Sequence, residues 1–340
     1  MEYRTLGASG CAVSSFALGT MTFGNTTDQA GAFAQLDAFA EAGGTLIDTA
    51  DVYVGGTSET IIGRWLADRP TEVTERMVLA TKGRFPTSGE PNAAGLSRRH
   101  LDRALNASLA RLGIDTIDLY QVHSWDSLTP LEETLSFLDD ATRSGKIRYA
   151  GLSNYHGWQL QKAVDLAEFR RFARPVTLQC GYSLLSRQVE WEIIPACQST
   201  GLGVLTFSPL AAGILTGKYQ QHTTPATDNR MADPRMGPYL RGRAQSQRTQ
   251  AVLDVIEQTA SHTGVTDLQP YLGTYAHVTA MHQGDLAFAH LHPEGTVSGD
   301  HGGPTLNVHA QLPAPGNWRL FIQFQTGGVL HTAPITITAG

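Results

Sequence analysis

The chain has few of the features that would send it to a membrane, a disulfide framework or a nucleic acid. No stretch approaches the roughly 18 consecutive apolar residues of a spanning helix. The opening Met1-Glu2-Tyr3-Arg4-Thr5-Leu6-Gly7 lacks the apolar core of a signal peptide, so the cytoplasm is the expected location. Cysteine is scarce: Cys11, Cys180 and Cys197 are an odd number without metal-ligand spacing, and no role is assigned to them. Lys and Arg number 25 against 31 Asp and Glu, and the net charge of −6 offers no basic surface to nucleic acid or to an anionic membrane. A Gly-x-Gly-x-x-Gly turn after an early strand is also missing, which argues against a doubly wound dinucleotide-binding sheet.

What is present is an alternation. Strand-like runs recur at 16–21, 45–50, 77–81, 117–122, 149–153, 176–180 and 203–207, with helical patterns at 28–42, 58–68, 97–112, 129–144, 157–167, 188–199 and 244–261. A short hairpin around Ala8-Ser9-Gly10 precedes them. Leu101, Leu105, Leu109 and Leu112 stripe one face of the helix opened by Ser97. Thr129-Pro130-Leu131-Glu132 reads as an N-cap threonine, a first-turn proline and a capping glutamate, with Gly145 as the stop. Near-continuous apolar strands alternating with helices predict a parallel sheet with helices outside it, and seven strands are one short of a closed (β/α)8 barrel. The expected fold is therefore an α/β TIM barrel that lacks its last strand and helix.

The pattern changes near Gly264. The runs 275–281, 285–290, 318–325 and 334–338 lie between Gly- and Pro-rich turns, and seven of the twelve histidines fall between His277 and His331. We expect a barrel over 1–262 and a small all-β module over 263–340. The polar stretch 220–243 reads as a long loop over the barrel mouth, of a length usually tied to function.

Chemistry should gather where Thr45-Leu46-Ile47-Asp48-Thr49-Ala50-Asp51-Val52-Tyr53 passes from apolar to polar. In a parallel barrel the strand ends share one face, so Asp48 and Tyr53 would meet Lys82 from Ala80-Thr81-Lys82 and His123 from Tyr120-Gln121-Val122-His123. Singly, each fits an ordinary role: a cap, a packed ring, a solvated lysine, a backbone-satisfied histidine. Together they form a proton-transfer set. Lys82, held by Asp48, would lower the phenol's affinity for its proton, and His123 would aim an N–H at a carbonyl oxygen.

These motifs resemble the aldo-keto reductase superfamily, in the branch similar to potassium-channel β-subunits and bacterial oxidoreductases. Further matches follow in order: Leu18-Gly19-Thr20-Met21-Thr22-Phe23-Gly24, Gly145-Lys146-Ile147-Arg148, Gly151-Leu152-Ser153-Asn154, Gln179 with Tyr182-Ser183-Leu184-Leu185, and the stretch from Ser208-Pro209-Leu210-Ala211-Ala212-Gly213 to Ile214-Leu215-Thr216-Gly217-Lys218. The resemblance covers 1–262. It implies catalytic roles for Asp48, Tyr53, Lys82 and His123, and NADP(H) as cofactor. Gly19, Thr20, Met21 and Asp48 would lie along the cofactor, and Ser153, Asn154 and Gln179 would hold its carboxamide. Tyr182 would stack on the nicotinamide, while Ser208, Pro209, Leu210, Ala211, Gly213, Leu215, Gly217 and Lys218 would wrap the pyrophosphate. The partner would be a small-molecule carbonyl compound, met by Tyr53, His123 and Trp125. The same resemblance admits a regulatory protein that holds the nucleotide with little turnover, as channel β-subunits suggest.

The family's last strand and the helix that grips the adenine and 2′-phosphate have no counterpart here. Barrel closure and the preference for NADP over NAD are then open points, with Lys218, Arg230 and Arg235 as sources of positive charge. Unpaired edges on the first and seventh strands call for cover, by the tail or by a second copy in a homo-oligomer. Through Tyr275-Ala276-His277-Val278, His290-Leu291-His292-Pro293 and Arg319-Leu320-Phe321-Ile322-Gln323-Phe324 the tail weakly resembles a small β-sandwich domain of exported bacterial proteins, some linked to copper, which suggests a fusion. His290 and His292 share a strand face, with His277 or His301 nearby, but paired histidines on a β-surface are more often non-ligands and no metal is assigned.

Overall fold

The computed structural model describes residues 1–219, 237–262, 276–282, 288–291, 312, 315–326 and 329–339. Most of the expected 220–243 loop, with Arg230 and Arg235, lies outside these residues, as do His292, His301 and the side chains of His277 and His290. The chain divides into two compact units, Met1–Gln245 and Ser246–Gly340.

The first unit begins with an antiparallel hairpin of β1 (Tyr3–Thr5) and β2 (Ala12–Ser14). Seven short strands then form one parallel sheet in chain order: β3 (Ala17–Gly19), β4 (Leu46–Asp48), β5 (Val78–Gly83), β6 (Ile117–Val122), β7 (Ile147–Ser153), β8 (Thr177–Gly181) and β9 (Gly203–Phe207). Helices α1 (Gln29–Glu41), α2 (Thr57–Asp68), α3 (Thr71–Thr74), α4 (Arg98–Leu112), α5 (Leu131–Arg143), α6 (Gly157–Arg170), α7 (Ile193–Thr200) and α8 (Gly237–Ala244) fall between or after them. This is a parallel α/β barrel one strand short of eight. Among the described residues β3 and β9 do not pair with each other.

The strands alternate between two apolar clusters, as a period of two requires. Ile47, Leu79, Tyr120, Val122, Leu152 and Leu178 pack outward against α1, α2, α4, α5 and α6 through residues such as Leu36, Ile62, Trp65, Leu105, Leu138 and Leu160. Leu46, Ala80 and Leu119 point the other way, into a small inner cluster with Leu6 and Val13 of the hairpin. The hairpin thus stoppers the barrel at the end where the strands begin. On the inward side the next positions along are Asp48, Lys82 and Gln121, which carries the polar groups to the opposite end.

Local signals set several boundaries. Asp28 caps α1, accepting from Gly31 N at 2.8 Å, and Ser97 caps α4. At α5 the cap differs from expectation: Pro130 takes the cap position, and the Thr129 hydroxyl donates to Asp126 Oδ2 at 2.7 Å. A hydroxyl drawn to a carboxylate forms a stronger bond than one shared with a backbone amide. Gly151 on β7 faces inward where a Cβ would sit 2.7 Å from Thr177 Oγ1, 2.8 Å from Gln121 Cγ and 3.1 Å from Leu119 Cδ1. We expect Gly151→Ala to destabilise the protein by about 1–3 kcal/mol through overpacking; a urea midpoint equal to that of the parent would show that the barrel interior yields.

The second unit contains α9 (Gln247–His262) and a four-stranded antiparallel sheet ordered β11-β10-β12-β13, from β10 (Ala276–His282), β11 (Phe288–Leu291), β12 (Gly316–Thr326) and β13 (Val329–Ala339). Ala276, Val278 and Trp318 are buried in it.

Candidate active site

A single carboxylate ties four strand ends together. Asp48 closes β4, and its Oδ2 accepts from Lys82 Nζ of β5 at 2.7 Å. Its Oδ1 accepts from Gln179 Nε2 of β8 at 2.8 Å and from Gln121 Nε2 of β6 at 3.3 Å. Lys82 is fully buried and also donates to the Thr49 carbonyl at 2.8 Å. A buried ammonium is tolerable only with such partners.

Tyr53 follows in a 3-10 turn, Tyr53–Gly56, that reverses the chain into α2. The reversal passes through Val54, Gly55 and Gly56, all with positive φ. For Val54, at φ 50° and branched at Cβ, this is a costly conformation, on the order of 1–2 kcal/mol. It sets the Tyr53 hydroxyl 3.5 Å from Lys82 Nζ, with the ammonium 5.2 Å from the ring centroid. His123, just beyond β6, lies edge-on to Tyr53 with ring centroids 6.0 Å apart, and Phe85 packs on its other side at 4.7 Å. The four residues expected to converge do so.

The electrostatics depart from expectation in one respect. Burial raises the Tyr53 pKa above the ordinary phenol value and outweighs the opposing pull of Lys82, so the phenol keeps its proton more tightly. Burial, then the Lys82 and Arg84 charges, push His123 down to about 3. The imidazole is neutral near pH 7, and its Nδ1 has no hydrogen-bond partner among the described residues.

The residues expected along the cofactor divide into two groups. One adjoins the cluster directly: Gly19 pairs with Asp48 in register, and Thr20 donates to the Asp48 carbonyl through N and Oγ1 at 3.0 and 3.1 Å. Met21 next to them is exposed. Asn154, in the left-handed region at φ 54°, donates through Nδ2 to the His123 carbonyl at 3.0 Å and to Ser153 Oγ at 3.1 Å. Its N–H reaches the Gln179 carbonyl at 2.9 Å. The other group follows β8 and β9. Tyr182 N meets the Phe207 carbonyl at 3.4 Å, and the Tyr182 hydroxyl donates to Glu190 Oε1 at 2.7 Å, a carboxylate gripped by Arg187. Ser208, Pro209, Leu210, Ala211, Gly213, Leu215, Gly217 and Lys218 form a tight segment in which Ser208, Ala211, Ala212, Gly213 and Gly217 all have positive φ. Within it the N–H groups of Ala211, Gly213, Leu215 and Gly217 donate to carbonyls of the same segment, which holds it tightly folded. Lys218 Nζ lies 5.1 Å from the Tyr219 ring centroid. Trp125 does not stack on the four central residues; its ring meets Tyr155 at 5.2 Å and Trp158 at 5.6 Å.

Sequence reasoning missed Gln121, Phe85 and Glu190. Gln121 had a usable signal, because a polar residue two before His123 on a strand shares its side. Phe85, just past β5, and Glu190, at the end of a 3-10 turn Gln188–Glu190, had none.

Behind the cluster lies a second buried carboxyl. Asp51 is 2% exposed, and neither carboxyl oxygen has a hydrogen-bond partner among the described residues. Glu59, fully buried beside it, takes Thr81 Oγ1 at 2.6 Å and Arg111 Nε at 2.7 Å. Burial and then the Glu59 charge raise the Asp51 pKa to about 7, against the weaker pulls of Arg111, the nearby Val52 N–H and Lys82. In the unfolded chain the group titrates near pH 4, so between about pH 4 and 7 the folded state binds more protons, and stability falls as pH rises. Asp51→Asn removes that loss. Against the parent, the variant should gain on the order of 2–4 kcal/mol at pH 8 and much less at pH 5. Paired urea titrations at the two pH values check it, since the contribution of His123 cancels between them; an equal difference at both would refute it.

Comparison with known proteins gives two family matches. The aldo/keto reductase family matches residues 15–278, and a family described as a domain of unknown function matches residues 240–340. Among curated proteins, the chain is 45% identical over 226 residues to the uncharacterized oxidoreductase YrpG of Bacillus subtilis, covering 64% of this chain and 69% of that one. It is 38% identical over 234 residues to a probable voltage-gated potassium channel subunit beta of Oryza sativa subsp. japonica, covering 68% and 70%. It is 32% identical over 292 residues to versiconal hemiacetal acetate reductase of Aspergillus parasiticus, covering 79% and 83%.

Proposed function

This chain belongs to the aldo/keto reductase family, and we propose that it reduces an aldehyde or ketone to the alcohol with NADPH, Tyr53 giving the proton. The observation that carries this reading is Lys82 Nζ, set between the Asp48 carboxylate at 2.7 Å and the Tyr53 hydroxyl at 3.5 Å.

The polar atoms around the cluster suit a nicotinamide. Ser153, Asn154 and Gln179 form one bonded set beside Asp48 and offer amide and hydroxyl groups to a carboxamide, while Tyr182 presents a ring held by Glu190. The segment Ser208–Lys218, with Gly19, Thr20 and Met21 across from it in the strand order, would line the rest of the nucleotide. Its lysine favours the phosphorylated form. When bound, the cofactor supplies hydride to the carbonyl carbon.

This chain's own residues do the rest. Neutral His123 donates an N–H to the carbonyl oxygen, which fixes the carbonyl and stabilises the charge that develops there. Tyr53 starts as a phenol, as its raised pKa requires of an acid near neutrality, and passes its proton to that oxygen. The Lys82 ammonium then offsets the phenolate, and Asp48 keeps the ammonium in place. The phenol regains its proton from solvent. A second copy lying along the open edges of β3 and β9, near exposed Phe16 and Phe207, belongs to the same reading.

The test is loss of NADPH absorbance with a panel of small aldehydes, together with fluorescence titration by NADPH and NADH. Tight NADPH binding with aldehyde-dependent oxidation is expected. Retention of the nucleotide without reduction of any aldehyde would favour the regulatory role.

A further inference from the structure

Arg84 follows β5 directly, two residues after Lys82. Its guanidinium carbon lies 5.0 Å from the Phe85 ring centroid, and that same ring packs on His123 at 4.7 Å. The residue is half-buried, and its Nε is fully enclosed without a hydrogen-bond partner. No ion pair involves it among the described residues.

The surroundings do not neutralise it. Asp48 is committed to Lys82, Gln121 and Gln179. Asp126, the carboxylate that feels the Arg84 charge, is already held by Leu96 N at 2.8 Å, Leu128 N at 3.0 Å and Thr129 Oγ1 at 2.7 Å. The Arg84 charge reaches the imidazole itself and helps keep it neutral. The enclosed Nε anchors an arginine that is only half-buried, and its terminal Nη groups, which are not enclosed in this way, are the part an incoming oxyanion would meet. The planar fork of a guanidinium matches a carboxylate or phosphate, and an anion seated there would lie beside the histidine that orients the carbonyl.

We propose that Arg84 recognises an oxyanion on the substrate, so that the preferred substrates are carbonyl compounds bearing a carboxylate or phosphate a few bonds from the reacting carbon. This rests on the reductase reading. The anion site itself does not need turnover to be seen.

The test uses the full chain with NADPH and three unreactive probes, butyrate, butanamide and inorganic phosphate, titrated by calorimetry. Butyrate or phosphate should bind at least about tenfold more tightly than butanamide, the usual worth of a charge-assisted contact. Arg84→Gln should abolish the difference and Arg84→Lys restore part of it, which separates lost charge from lost folding. The relative affinities of butyrate and phosphate decide which oxyanion the site takes. Equal affinities for all three probes in the parent, or a preference that survives Arg84→Gln, would overturn the proposal. In turnover, the kcat/KM ratio of 4-oxobutanoate over butanal should fall by a similar factor in Arg84→Gln. Anion binding through Arg84 without reduction of either aldehyde would sink the reductase reading and leave the anion site standing.

Discussion

Tyr53→Phe is expected to lower kcat with any carbonyl substrate by about 10²–10⁴-fold, the usual contribution of a positioned proton donor. The substitution removes one oxygen and leaves the ring between Lys82 and His123, where the contacts at 5.2 Å and 6.0 Å are made by the ring rather than the hydroxyl. Nucleotide affinity should stay within a few-fold of the parent. Stability should not suffer either, because the hydroxyl's one bond, to Lys82, is long at 3.5 Å. Steady-state rates and NADPH titration on the same preparation give the answer. Turnover equal to the parent's would transfer the proton donor's role elsewhere, and lost nucleotide binding would make Tyr53 a structural residue.

Lys82→Met strikes folding as well as chemistry. The ammonium is fully buried and the Asp48 side chain is only 15% exposed, so removing the cation leaves an enclosed carboxylate with two amide donors and no counter-charge. Breaking such a pair typically costs about 3–5 kcal/mol. Adding Asp48→Asn should recover much of that stability, because the remaining charge disappears, while turnover stays lost. Urea denaturation of parent, single and double variants separates the two effects. A single variant as stable as the parent would mean that Asp48 takes up a proton or reaches water when Lys82 is gone.

Much of the barrel was legible in the sequence because its strands carry a local signature. Apolar runs closed by a polar residue marked 45–50, 77–81 and 117–122, and β4, β5 and β6 lie within or across them. Asp48, Tyr53, Lys82 and His123 could be grouped without coordinates, since parallel strands bring their ends to one face. What escaped depends on tertiary surroundings. Thr129 is turned from its helix by Asp126, a competitor invisible to a capping pattern. Lys82 next to Tyr53 suggested an easier loss of the phenol proton, but burial, which no spacing reveals, decides the sign. Glu190 reaches Tyr182 from a 3-10 turn eight residues on, and Phe85 reaches His123 from a different strand end. No periodicity encodes such meetings.

The bonding of Asp48 to groups on β5, β6 and β8 has a bearing on how such a protein can diversify. Asp48, Lys82, Gln121 and Gln179 are fastened to one another through the scaffold, whereas Arg84 and Trp125, just past β5 and β6, and Trp158 on α6 stand outside that knot. Replacing Arg84, Trp125 or Trp158 would leave the spacing of carboxylate, ammonium and the two amides untouched, because none of those bonds passes through their side chains. On the reading proposed above, preference for substrate is free to drift while the bonded set holds still.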